Sequence, residues 1–136
     1  MIGERLWHYV GDALRSRQTF VLETFLAVQS VTWGAWVANP MFDAFVSVPQ
    51  AYSLLVWLPE WLVGGAFVVH GCAHMYVIYL RDVRLCRNAA MGAVGLWGLV
   101  LMNMLVSVPL STATPIYLCS VLASLWVYVR LDWRVR

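Results

Sequence analysis

The nine basic residues are all arginine and fall into three clusters: Arg5, Arg15 and Arg17; Arg81, Arg84 and Arg87; and Arg130, Arg134 and Arg136. Each interval between clusters holds two hydrophobic segments, so a chain that crosses a bilayer at every segment returns all the arginines to one side. The positive-inside bias makes that side the cytoplasm. The pattern predicts four transmembrane helices with both termini inside. Composition argues against a water-soluble fold: at 62% hydrophobic and 12% charged, 136 residues cannot hide their apolar surface in a core of their own. Four spans of about 20 residues also leave no room for a separate soluble catalytic domain.

The expected fold is an all-α polytopic membrane protein, one membrane domain over 1–136, with spans at 19–38, 60–80, 89–108 and 115–130. Asn39-Pro40 stops the first span, because proline cannot continue the helical hydrogen-bond ladder. Pro59-Glu60-Trp61 opens the second, with proline in the first turn and a carboxylate at the positive end of the helix dipole. Arg81 to Asn88 reads as the tight turn that follows. Pro109 stops the third span, and the run from Ser111 to Pro115 offers caps for the fourth. Trp36, Trp57 and Trp61 then fall near the outer interface, and Trp7 and Trp133 near the inner one, as aromatic belts require.

Two segments outside the spans carry patterns of their own. Residues 1–17 place Ile2, Leu6, Trp7, Val10 and Leu14 at helical spacing with charges on other faces, which suits an interfacial helix lying in the membrane plane. Glu4 and Asp12 interrupt any continuous apolar stretch there, so a secretory signal peptide is not expected. Residues 40–59 combine Asp43, Pro49 and Pro59 with apolar residues too concentrated for a solvated loop. This predicts an amphipathic external connection of one or two short helices on or in the outer leaflet, the second starting near Ser47 and Pro49. The basic inner face suits anionic phospholipid head groups. Nucleic acid is not an expected partner, because the arginines are spread over short segments beside the membrane. The three cysteines form no disulfide framework: Cys72 and Cys119 fall inside spans as small buried hydrophobes, and Cys86 falls in the turn as an exposed thiol.

The chemistry-bearing residues concentrate in the second span. His70 and His74 are four apart and share a helix face, and ionisable groups at membrane depth raise a functional question by default. As metal ligands they supply only two positions, and Cys72 lies on the opposite side of the helix. As ligands of a b-type haem, two histidines on one helix cannot occupy opposite faces of the same iron, and the other spans contain no histidine. Heights along the helices instead pair His70 with Gln29 and His74 with Glu23, as neutral, satisfied contacts between spans one and two. No cofactor is expected on this reading. Glu23, His74 and His70 also form the steps of a possible proton relay, with only Asn103, Ser107 and the outer loop continuing it outward. Small residues in span two (Gly64, Gly71) and span three (Gly92, Gly95) mark these two helices as a packing core or an oligomer seam. No phosphate loop, catalytic triad, Cys-x-x-Cys or H-E-x-x-H motif is present.

Asn39-Pro40 before an aromatic stretch, Pro49-Gln50-Ala51-Tyr52, Pro59-Glu60-Trp61 with Gly64 and Gly65, a mid-span Trp97, and Tyr117 leading to Trp126-Val127-Tyr128-Val129-Arg130 together resemble small four-span membrane proteins encoded by tailed phages. Some of that group are labelled holins, which self-assemble and make holes in the host inner membrane. Four spans and a modest tail depart from the commoner holin designs of one to three spans. The resemblance implies a bacterial inner-membrane location and transfers no catalytic residue. The expected function is that of a non-enzymatic, self-associating membrane protein of holin-like or envelope-modifying type. The rivals are an accessory subunit of a larger membrane complex and a redox or metal protein centred on His70 and His74.

Overall fold

The computed structural model describes residues 2–41, 44–47, 52–55 and 57–135, with side chains placed at 19–41, 44–45, 52–55 and 57–133. Within these residues the chain is helical: α1 (Ile2–Ala38), α2 (Ala44–Ser47), α3 (Glu60–Leu80), α4 (Val83–Ser107) and α5 (Ala113–Val135). Four stretches, Thr19–Ala38, Glu60–Leu80, Val83–Ser107 and Ala113–Trp133, are long and apolar enough to cross a membrane. The protein is therefore a four-helix bundle of integral-membrane character. Helix α1 packs along α3 and α4 along α5, while α3 meets α4 and α1 meets α5 over shorter stretches. The four helices alternate in direction, which brings the arginine clusters of the α3–α4 turn and of the α5 C-terminus to one end of the bundle.

Several boundaries differ from those the sequence suggests. Helix α1 runs unbroken for 37 residues, so the N-terminal arm and the first span are one helix. No proline interrupts it before Pro40. The side chains of 2–18, Trp7 and the first arginine cluster among them, lie outside the described residues. The turn between α3 and α4 is shorter than Arg81 to Asn88, because Asp82 caps α4 with a carboxylate that accepts from the backbone N–H of Arg84 at 2.9 Å and of Leu85 at 3.2 Å. Arg81 takes the left-handed conformation that closes α3, φ 56°, and donates its N–H to the Ile78 carbonyl. The earlier start of α4 draws Cys86 into the bundle, where it is buried, whereas Cys72 and Cys119 face outward. This reverses the exposure expected of all three thiols.

The small-residue seam also moves. Gly34 and Gly64 meet backbone to backbone: a Cβ on Gly64 would lie 2.5 Å from both the Gly34 carbonyl and the Ala38 nitrogen. One on Gly71 would lie 2.7 Å from the Ala27 carbonyl. The tight contact is therefore between spans one and two, not two and three. Gly92 packs only against the His70 ring, and Gly95 faces open space.

At the end away from the arginines, the connection folds back over the bundle instead of lying clear of it. Ala44, Phe45, Tyr52 and Leu55 are buried against Trp97, Met104 and Tyr117. Three polar ties hold it: Glu60 accepts from the backbone N–H of Ala44 and Phe45, Asn103 accepts from the N–H of Leu54, and Ser53 bonds Ser107. Glu60 thus anchors the connection as well as beginning α3. Met41, Leu54 and Trp57 project outward, so the described part of the segment is apolar on its outer face as well. Residues 42–43, 48–51 and 56 lie outside the described residues, and with them the expected second helix start near Pro49.

Candidate functional site: a polar layer inside the bundle

The apolar interior comes in two pieces. One cluster, at the connection end, includes Phe67, Trp97, Val100 and Tyr117; the other, at the arginine end, is built on Leu26, Cys86, Ala90, Val127 and Leu131. Polar side chains run alongside the second cluster and on towards the first. Ser30, His74 and Ser124 have no exposed surface, and Ser120 very little. Burying polar groups at this depth costs free energy unless each finds a partner.

Helix geometry fixes who faces whom. Gly71 sits between Ala27 and Val31 of α1, so His74, three residues nearer the arginines, comes level with Leu26 and Ala27, about one turn from Glu23. His70 meets Ala89 and Gly92 on α4, so one turn on, His74 is level with Cys86. Glu23 and Cys86 are near neighbours across α1 and α4. Both nitrogens of His74 lack a hydrogen-bond partner among the described residues. The expectation of a satisfied Glu23–His74 contact is therefore not met, because His74 stands about one turn along α1 from Glu23.

The second expected pair is replaced as well. Gln29 Nε2 donates to Ser120 Oγ at 2.9 Å, across to α5, and His70 Nε2 lies 2.9 Å from the Ala89 carbonyl on α4. A carbonyl only accepts, so His70 carries its proton on Nε2 when neutral, leaving a lone pair on Nδ1. That Nδ1 is buried and without a hydrogen-bond partner among the described residues, as are Ser30 Oγ and Gln29 Oε1. The two imidazoles sit edge to face, with centroids 5.7 Å apart. No group of three or more His, Cys, Asp or Glu side chains able to hold a metal occurs among the described residues.

Above this layer, towards the connection, four aromatic rings close the bundle. Trp97 lies 4.9 Å from Phe67, 5.7 Å from Trp33 and 5.9 Å from Tyr117, centroid to centroid. The Trp33 indole donates to the Tyr117 hydroxyl at 3.3 Å, and Tyr117 is hydrogen-bonded to Tyr52 in the connection. Burial, and then the neighbouring Tyr117, push the Tyr52 phenol above its ordinary pKa, so it remains protonated. At the arginine end Arg87 pairs with Asp132 at 3.0 Å, tying the start of α4 to the end of α5. Sequence reasoning found both histidines, Glu23 and Gln29 but missed Ser30, Ser120, Tyr117 and Tyr52. The available signal was their helical spacing: Thr114, Tyr117, Ser120 and Ser124 recur on one face of α5. No protein-family model, curated protein or solved structure matches the chain.

Proposed function

We propose that the protein is a non-enzymatic membrane protein that associates with copies of itself through the outward face of α4, in a bacterial inner membrane with both termini cytoplasmic. The observation that carries this reading is the open glycine face: a Cβ on Gly95 or Gly98 would meet nothing within 4 Å, whereas Gly34, Gly64 and Gly71 are consumed inside the chain. Glycine weakens an isolated helix, and in membranes small residues allow a second helix to approach closely. Anionic lipid at the arginine end completes the setting, because Arg81, Arg84 and Arg130 are exposed there. The holin-like or envelope-modifying role rests on this self-association.

The test is the mass of the protein in detergent and in lipid nanodiscs, together with membrane potential in expressing bacteria. An oligomer is expected, and Gly95→Leu is expected to shift it towards monomer by about tenfold, the effect of losing about 1.4 kcal/mol of helix packing. A strictly monomeric wild-type protein that leaves the membrane potential unchanged overturns the reading.

A further inference from the structure

The buried polar layer is more than a packing defect, because its members form a ladder along the bundle axis. At the arginine end stands Glu23, with His74 about one turn further along the axis. One turn further lie His70 and Ser30, and beside Ser30 in sequence is Gln29, bonded to Ser120. One turn along α5 from Ser120 is Tyr117, whose hydroxyl joins Trp33 and Tyr52. The aromatic closure is therefore crossed by a hydroxyl. Apart from the Gln29 amide, each rung carries an atom able to accept a proton and release one, and among the described residues several such atoms are buried without a hydrogen-bond partner: both nitrogens of His74, His70 Nδ1 and Ser30 Oγ.

We propose that this ladder conducts protons through the interior of a single chain, between the arginine end and the connection end. A proton taken up by the Glu23 carboxylate passes to a ring nitrogen of His74. The imidazolium hands a proton to the lone pair of His70 Nδ1, whose other nitrogen stays committed to the Ala89 carbonyl. From there the hydroxyls of Ser30, Ser120, Tyr117 and Tyr52 each accept one proton and release another, Ser120 turning its proton away from the Ile116 carbonyl to which it donates at rest. Water bridges steps longer than a hydrogen bond. Only O–H and N–H bonds form and break, and one proton leaves for each that enters. The titratable groups nearest His74 are Glu23 on α1, His70 on α3 and Cys86 on α4; on α5 the Ser120 hydroxyl donates to the Ile116 carbonyl at 3.0 Å and the Ser124 hydroxyl to the Ser120 carbonyl at 2.7 Å. Arg87 and Asp132 neutralise each other at the arginine end.

The full chain is reconstituted in vesicles of phosphatidylethanolamine and phosphatidylglycerol loaded with pyranine, and a valinomycin potassium potential drives protons inward. Wild type is expected to acidify the interior severalfold faster than protein-free vesicles, with no release of carboxyfluorescein. His74→Gln and Tyr117→Phe are each expected to return the rate to the protein-free baseline. Gly95→Leu is expected to leave it unchanged, because the ladder lies inside one chain, so a failure of self-association is distinguishable from a failure of conduction. Circular dichroism and elution volume confirm that each variant is folded; should His74→Gln misfold, Tyr117→Phe carries the test. A wild-type rate equal to that of empty vesicles overturns the proposal, as does an equal leak of dye or a folded Tyr117→Phe that conducts like wild type.

Discussion

Single atoms decide the closest contacts in this bundle. Gly34 and Gly64 admit no Cβ, because backbone atoms of the facing helix stand 2.5 to 2.8 Å from where it would be. Backbone cannot swing aside as a flexible side chain can, so Gly64→Ala is expected to lower stability by about 1–3 kcal/mol. Gly65, one residue on, has nothing within 4 Å, and there alanine is expected to raise stability by up to about 1 kcal/mol. Thermal unfolding in one detergent, read by circular dichroism, should move the two melting temperatures in opposite directions. A second residue-scale consequence concerns Tyr52. Its phenol is held protonated in the fold, whereas in the unfolded chain it ionises near the ordinary value of 10.0. Its contribution is thus fully present below about pH 10 and is lost as pH rises above it. Denaturation followed from pH 8 to 11 should show that decline, and Tyr52→Phe should flatten it.

At the scale of elements, the connection between α1 and α3 is held by chemistry out of proportion to its length. The Glu60 carboxylate accepts from two successive backbone N–H groups at the start of α2, the place where a short helix leaves donors unpaired. In Glu60→Gln only one oxygen remains and the charge is gone, which should cost about 1–2 kcal/mol locally. Amide hydrogen exchange across 44–58 should quicken in that variant while α4 and α5 keep their protection. Sequence spacing made Glu60 recognisable as a helix-start residue, but not as an anchor for residues sixteen positions earlier, because that bond depends on how far the connection folds back. The same limit explains the histidines. Helix heights placed His70 within a residue of Gln29, but His74 comes level with Leu26 and Ala27, about a turn from Glu23. Height says nothing of rotation, and rotation turned Gln29 to α5, His70 to α4 and Glu23 to Cys86. The glycine seam failed for a related reason: Gly34 is a lone glycine in its span and carries no repeat to reveal it.

For the whole molecule, four apolar segments, their proline and serine boundaries and the arginine clusters were legible in the chain, because each rests on local chemistry that a bilayer enforces. The division of the interior into two apolar clusters with polar residues alongside them was not. It emerges only when polar residues of α1, α3 and α5 come together along the bundle axis. The central claim is that these helices cross the membrane in alternation, returning the arginines to the cytoplasm and sending the connection outside. In a cysteine-free background, Arg84→Cys and Trp57→Cys place one thiol in the α3–α4 turn region and one in the connection, both at exposed positions. Labelling of sealed right-side-out and inverted bacterial membrane vesicles with an impermeant maleimide tests the arrangement directly. The thiol at 57 should react only in right-side-out vesicles and the thiol at 84 only in inverted ones, and reaction of both from the same side would contradict it.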